Sequence, residues 1–273
     1  MRAWSCAYDT GTSRSPHPGT RMPLIETTIH GDIHELRLAR PPVNALNPEL
    51  CAALTQALGD AVAAGAQGIV LAGGPKVFSA GLDVPYLLSL GADQEALLRS
   101  WTAFFGAARA LAACPVPVVA ALAGHSPAGG CVLALCCDYR IMAEGPYRIG
   151  LNETQVGLVA PEGIQSLLAR MVGPHRAERL LVAGDMVDSS EALRIGLVDE
   201  LTGIDDVATR ARVWLETLLQ LPRAPMLRTR AIARAAVIDC LRDERIELSK
   251  FVSGWMEPDT QAALRAMLAR IGK

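Results

Sequence analysis

Two continuous apolar runs of strand length, residues 68–72 and 116–122, restrict this chain more than any other feature. A strand that is apolar at every position is covered on both faces, as in a parallel sheet held between layers of helices. Each run leads into a turn of small residues and then into apolar residues at helical spacing. The expected class is therefore α/β, with its chemistry in the turns that leave the strands.

The remaining pattern agrees with that class. Residues 24–29 and 33–39 read as two strands joined at His30-Gly31-Asp32. Asn47-Pro48-Glu49 supplies a cap, a Pro at the first helical position and an early acid, and Leu50, Leu54, Ala57, Leu58 and Ala61 then recur at helical spacing. Helices are expected over 84–90, 94–112, 161–171, 174–182 and 190–195, and short strands over 139–143 and 147–151. Beyond Val198 strand signal fades, and the tail is helical by period, including 246–255 and 259–271.

Three segments follow from this reading. Residues 1–21, rich in Ser, Thr, Pro and Gly and without an apolar stretch, are expected to be a disordered leader or an over-called start before Met22, with a transit peptide as the other option. Residues 22–200 form the core. Residues 201–273 form a helical region of the kind that packs on a neighbouring copy.

Composition narrows the function. A net charge of -2 supplies no basic field for nucleic acid or anionic lipid, and the apolar runs are far shorter than the roughly 20 residues of a membrane span. A soluble protein is expected, with neither nucleic acid nor membrane as partner. The 7 cysteines lack C-x-x-C spacing and sit mostly in apolar runs, which reads as core packing in a reducing compartment rather than as reactive thiols.

Two turns carry the chemistry. Phe78-Ser79-Ala80-Gly81-Leu82-Asp83 follows the first apolar run, and its small residues let the backbone approach a ligand, with the Leu82 N–H left to point outward. An ordinary turn with Asp83 as helix cap explains the same residues. Pro127-Ala128-Gly129-Gly130-Cys131 repeats the arrangement after the second run, and a Gly pair opening a helix exposes unpaired N–H groups. Together the two turns can aim one N–H apiece at a single oxygen, the arrangement of an oxyanion hole.

These turns, with Cys137-Asp138-Tyr139-Arg140-Ile141 and Ile149-Gly150-Leu151-Asn152-Glu153-Thr154-Gln155, resemble the crotonase (enoyl-CoA hydratase/isomerase) superfamily from about Leu24 to the C-terminus. The pattern is most similar to its mitochondrial-type Δ3,Δ2-enoyl-CoA isomerase branch. The resemblance implies a spiral of ββα units with a C-terminal helical trimerisation region, hence a homotrimer or a dimer of trimers. It implies an acyl-CoA thioester substrate in fatty acid β-oxidation, with coenzyme A as part of the substrate and neither a metal nor a separate cofactor. The implied location is cytoplasmic, or the mitochondrial matrix in a eukaryote. Matched residue by residue, Leu82 and Gly129 are the oxyanion donors and Glu153 is the base. Val43, Ala45, Ala80, Gly81, Leu82, Asp83, Gly129 and Asn152 lie against the acyl-CoA.

The carboxylates choose between reactions. Hydration of a 2-enoyl thioester takes two, and the position matching the first is here Val132, a hydrocarbon. One glutamate suffices to take a proton from C2 of a 3-enoyl thioester and return it at C4. Glu153 is that glutamate, or else a solvated loop acid. Glu162, in Ala160-Pro161-Glu162-Gly163, resembles the site where the peroxisomal-type branch places its base, so it is either a second shuttle or an acid that complements a helix dipole. His125, Asp138, Arg270 and Lys273 read first as packing, capping or solvated residues. The alternatives to isomerisation are hydration, another lyase step of the family, and a non-catalytic binding relative.

Overall fold

The computed structural model describes residues 22–270; the leader 1–21 and residues 271–273, Lys273 among them, lie outside the described residues. The chain enters as an antiparallel hairpin, β1 (Ile25–His30) and β2 (Ile33–Leu38), around Gly31 at a φ of +60°. Asn47 then caps α1 (Pro48–Ala63) by accepting from Leu50 N at 2.9 Å, and β3 (Gly68–Ala72) follows. The next elements are α2 (Val84–Ser89), α3 (Gln94–Ala112) and β4 (Val118–Leu122). A two-residue β5 (Ser126–Pro127) leads into α4 (Gly129–Leu135), β6 (Tyr139–Ala143) and β7 (Arg148–Gly150). After one 3-10 turn at Glu153–Val156 come α5 (Glu162–Val172), α6 (Pro174–Ala183), β8 (Val187–Asp188), α7 (Ser189–Arg194) and β9 (Glu200–Thr202). The remainder is helical: α8 (Val207–Leu219), α9 (Arg223–Cys240), α10 (Asp243–Ile246), α11 (Leu248–Trp255) and α12 (Pro258–Arg270).

The main sheet has the order β1-β2-β3-β4-β6-β9 and is parallel from β2 onward; β5, β7 and β8 make a smaller sheet. Both central strands are buried at every residue, as their composition requires. Alternate side chains serve opposite faces. Ile69, Leu71, Val118, Ala120 and Leu122 join the larger core with α1, α3 and α4. Val70, Ala72, Val119 and Ala121 join a smaller one closed by Val207, Ala211 and Leu215 of α8. Because side chains fill both faces of these strands, the strand ends, where the two turns begin, are left for chemistry.

Two expectations change. A strand exists beyond Val198: β9 pairs with β6 as a three-residue edge, too short and too polar to show a period. The helix expected over 246–255 is broken at Glu247, whose φ of +47° lies outside the helical region and divides α10 from α11.

Helix α5 packs on α9 so closely that a Cβ on Gly163 would lie 1.7 Å from Cys240 O. Since a carbonyl cannot rotate aside as a side chain can, Gly163→Ala is expected to destabilise the fold by about 1–3 kcal/mol, read as a lower urea midpoint at unchanged slope.

Candidate active site

The first turn is held on two sides. Ala80 N donates to Val43 O at 2.9 Å, Leu46 N to Gly81 O at 2.7 Å, and Asp83 N to Leu46 O at 3.0 Å. Gly81 and Asp83 thus face Leu46, and by strand alternation the Leu82 N–H between them points the other way. Ser79, fully buried, fixes the turn from within by donating to Asn44 O at 2.8 Å and accepting from Gly81 N at 3.2 Å. Asp83 caps α2 through Tyr86 N at 3.0 Å, so the capping reading of that residue holds.

The second turn is tied to the first. Phe78 N donates to His125 O at 2.9 Å, and His125 N to Lys76 O at 3.0 Å. Ala128 N donates to Gly150 O at 2.9 Å, while Ala128 itself takes φ +47° and ψ −119°, a conformation rare for a residue with a side chain. Gly129 follows as the first residue of α4, where an N–H has no helical acceptor. A Cβ on Gly81 would lie 3.1 Å from Gly129 N, and one on Gly129 would lie 3.4 Å from Gly81 Cα. Among the described residues neither the Leu82 N–H nor the Gly129 N–H meets an acceptor, and the two glycines bring these donors side by side.

Both donors open onto a cavity of about 510 Å³, which Val43, Ala45, Ala80, Asp83, Asn152 and Glu153 also line. The structure therefore gathers these residues around one space, whose lining Gly81 and Glu162 do not join. Two carboxylates line the cavity among the described residues. Asp83 is engaged, at 2.6 Å, with Arg40. Glu153 has no ion-pair partner, and its Oε2, like Asn152 Oδ1, is sealed from solvent without a hydrogen bond. Burial pushes the Glu153 carboxyl up to about 7, only partly offset by a hydrogen bond from its own backbone N–H. The Cys131 thiol, on α4, is pushed up first by its own burial and then by the Glu153 charge.

Other residues lie elsewhere. Glu162 does not line the cavity; its side chain is 72% exposed and accepts from Arg245 at 2.8 Å. The physical reason is its place in the first turn of α5, whose buried face begins at Gly163 and Ile164. His125 accepts from Arg148 N through Nδ1 at 3.1 Å and packs edge-on against Tyr147, outside the cavity. Asp138 accepts from Val118 N and from Arg230, a structural role. Arg270 stands at the end of α12 without a contact to the site.

Sequence reasoning missed the apolar wall. Trp101, Phe104 and Phe105 of α3, Phe251 and Trp255 of α11, and Leu264, Met267 and Leu268 of α12 complete the cavity beside Val132. Trp101 meets Phe251 and Trp255 edge to face, with centroids 4.4 and 5.8 Å apart. Their helical spacing reads the same for a core face as for a binding wall, so the pattern alone held no signal. Arg40 was missed too, since a lone Arg before two prolines has no distinguishing neighbour.

Comparison with known proteins completes the picture. Residues 28–255 match the family model described as enoyl-CoA hydratase/isomerase. The mouse mitochondrial enoyl-CoA delta isomerase 1 is 34% identical over 252 residues, covering 91% of this chain and 86% of the relative. A probable enoyl-CoA hydratase of Mycobacterium avium is 36% identical over 217 residues, covering 77% and 81%. The crystal structure of human mitochondrial delta3-delta2-enoyl-CoA isomerase superposes with a TM-score of 0.85 at 31% identity, covering 91% of this chain and 98% of that one.

The raised Glu153 carboxyl links stability to pH. Between 4.5, the value of a free glutamate, and about 7, the folded state holds a proton that the unfolded chain releases. Stability is therefore full below the lower value and falls as pH rises to the upper one, by about 3 kcal/mol in all. Glu153→Gln is expected to match the wild type near pH 4.5 and to melt higher at about pH 8, as thermal unfolding at the two pH values checks.

Proposed function

The chain belongs to the enoyl-CoA hydratase/isomerase family, and we propose that it is a Δ3,Δ2-enoyl-CoA isomerase that moves the double bond of a 3-enoyl-CoA to the 2-position. The observation that carries this reading is the lone unpaired carboxylate of Glu153 in a cavity that the hydrocarbon of Val132 also lines. Glu153 removes a proton from C2, and the electron pair moves onto the thioester oxygen. The Leu82 and Gly129 N–H groups hold that oxygen while the charge is on it. Glu153 then returns the proton at C4, and the double bond is left between C2 and C3.

The α proton of a thioester is too weak an acid for an ordinary carboxylate. Two features narrow the gap. A base with a pKa near 7 is a stronger base than one at 4.5 and is still ionised in a useful fraction at neutral pH. The enolate meanwhile forms against preset donors, each of which is worth on the order of 10² to 10³ in rate. The apolar wall from α3, α11 and α12 suits a hydrocarbon acyl chain. The exposed Val159 and Val182, 76% and 73% exposed, suit burial in the proposed homotrimer or dimer of trimers.

Hydration is the second reading, favoured by the mycobacterial relative. One absorbance assay separates the two. Isomerisation raises the absorbance of a conjugated 2-enoyl thioester from a 3-enoyl-CoA, and hydration lowers it from a 2-enoyl-CoA. The isomerase rate is expected to rise with pH to a plateau above about 7, the ionisation of Glu153. Glu153→Gln is expected to lose on the order of 10² to 10⁴ in kcat, and Glu162→Gln to keep the wild-type rate. A silent wild type, or full rate in Glu153→Gln, removes the proposal.

A further inference from the structure

Three arginines gather at the end of α4 opposite the donor turn. Arg234, on α9, is 8% exposed and donates to Cys136 O at 2.6 Å and to Cys137 O at 3.2 Å. Arg140, 4% exposed, also donates to Cys137 O at 3.2 Å and pairs with Asp199 at 2.6 Å. Arg230 makes a two-pronged pair with Asp138, each contact 2.7 Å, and Arg234 lies 3.3 Å from the same carboxylate.

The charges do not balance. Asp199 neutralises Arg140, but Arg230 and Arg234 share Asp138, so one positive charge is left over among three arginines and an aspartate that are each about nine-tenths buried. Burying it costs solvation, and Nε of both Arg140 and Arg234 is left without an acceptor. Packing alone does not explain the excess, because an apolar residue fills the same space without it.

We propose that Arg234, supported by Arg230, is a positioning residue for the oxyanion site: its uncompensated charge at the carbonyls of Cys136, which caps α4, and Cys137, just beyond it, raises the positive potential at the Gly129 N–H. This rests on the isomerase reading above. Unpaired carbonyls at the end of a helix carry partial negative charge, which weakens the pull of the donors at its start. Guanidinium groups on Cys136 O and Cys137 O cancel that opposition. The seven residues of α4 span roughly 10 Å, so one net charge at roughly 12 Å through a partly buried medium changes the rate about tenfold.

The test reads the thioester carbonyl of a bound 2-enoyl-CoA, labelled with ¹³C at that carbon, by isotope-edited infrared spectroscopy alongside kcat and KM. In the wild type the band is expected below its frequency in water; a band at the solution value overturns the isomerase reading and this proposal with it. Arg230→Met removes the net charge but none of the bonds to Cys136 O and Cys137 O, since Arg230 donates to Asp138 and to Cys114 O. Its band is expected to move up and its kcat to fall about tenfold at nearly unchanged KM. Asp138→Asn adds uncompensated charge, and its band is expected to move down although the fold is weakened. A purely structural cluster gives no such opposition of sign. Variant bands at the wild-type frequency, or displaced in the same direction, overturn the proposal. Should Asp138→Asn not fold, Arg230→Met decides alone, with wild-type frequency and kcat as the overturning result.

Discussion

Gly81 and Gly129 stand so near one another that a methyl group on the first would lie 3.1 Å from the amide nitrogen of the second. Everything else in the molecule can be read as the means of holding that approach. Strands β3 and β4 are paired in parallel, so their following turns leave the sheet at the same edge. The bonds between Phe78, His125 and Lys76 then fix one turn against the other. A Cβ on Gly130 would lie 2.5 Å from Ser79 O, so a second glycine is needed to let α4 begin there. The unfavourable conformation of Ala128 persists because its neighbours on both sides are fixed.

The environment of Glu153 follows from the same construction. The 3-10 turn that carries it comes directly after β7, and β7 is paired with β5 inside the second donor turn. Glu153 is thereby tied to the Gly129 turn through a short run of backbone, and α4 passes close enough for Glu153 to act on Cys131. Glu153 shares its cavity with apolar side chains from α3, α11 and α12, and burial raises its proton affinity. In the proposed reaction, one apolar cavity thus serves both an acyl chain and a base.

The parallel sheet was legible because a strand buried on both faces leaves a continuous apolar run that no other element of that length produces. The two small-residue turns were legible because their requirement is local: small residues at the exit of a strand. Glu162 shows the limit. An acid after Pro161 at a helix start has the same sequence whether it faces a cavity or solvent, and only the placement of α5 against α9 turns it outward. The aromatic wall was illegible for a different reason. Trp101 meets Trp255 across more than half of the chain, and no local pattern encodes which apolar faces of separate helices come together. Strand β9 escaped notice because three residues cannot show a period.

Helix α4 joins these levels. Its first residue has a free N–H, Val132 in its second turn presents hydrocarbon to the cavity, and the carbonyls of Cys136 and Cys137 at and just past its end rest on buried guanidinium groups. A second acid at Val132 would place negative charge within one helical turn of the Gly129 N–H, against the charge that forms on the thioester oxygen. In the proposed isomerase, leaving that position apolar does two things at once: it removes the partner that water addition needs, and it leaves the two N–H groups unopposed. On that reading, moving a proton with one carboxylate places more of the work on the oxyanion donors. The concentration of positive charge around α4 is consistent with that dependence.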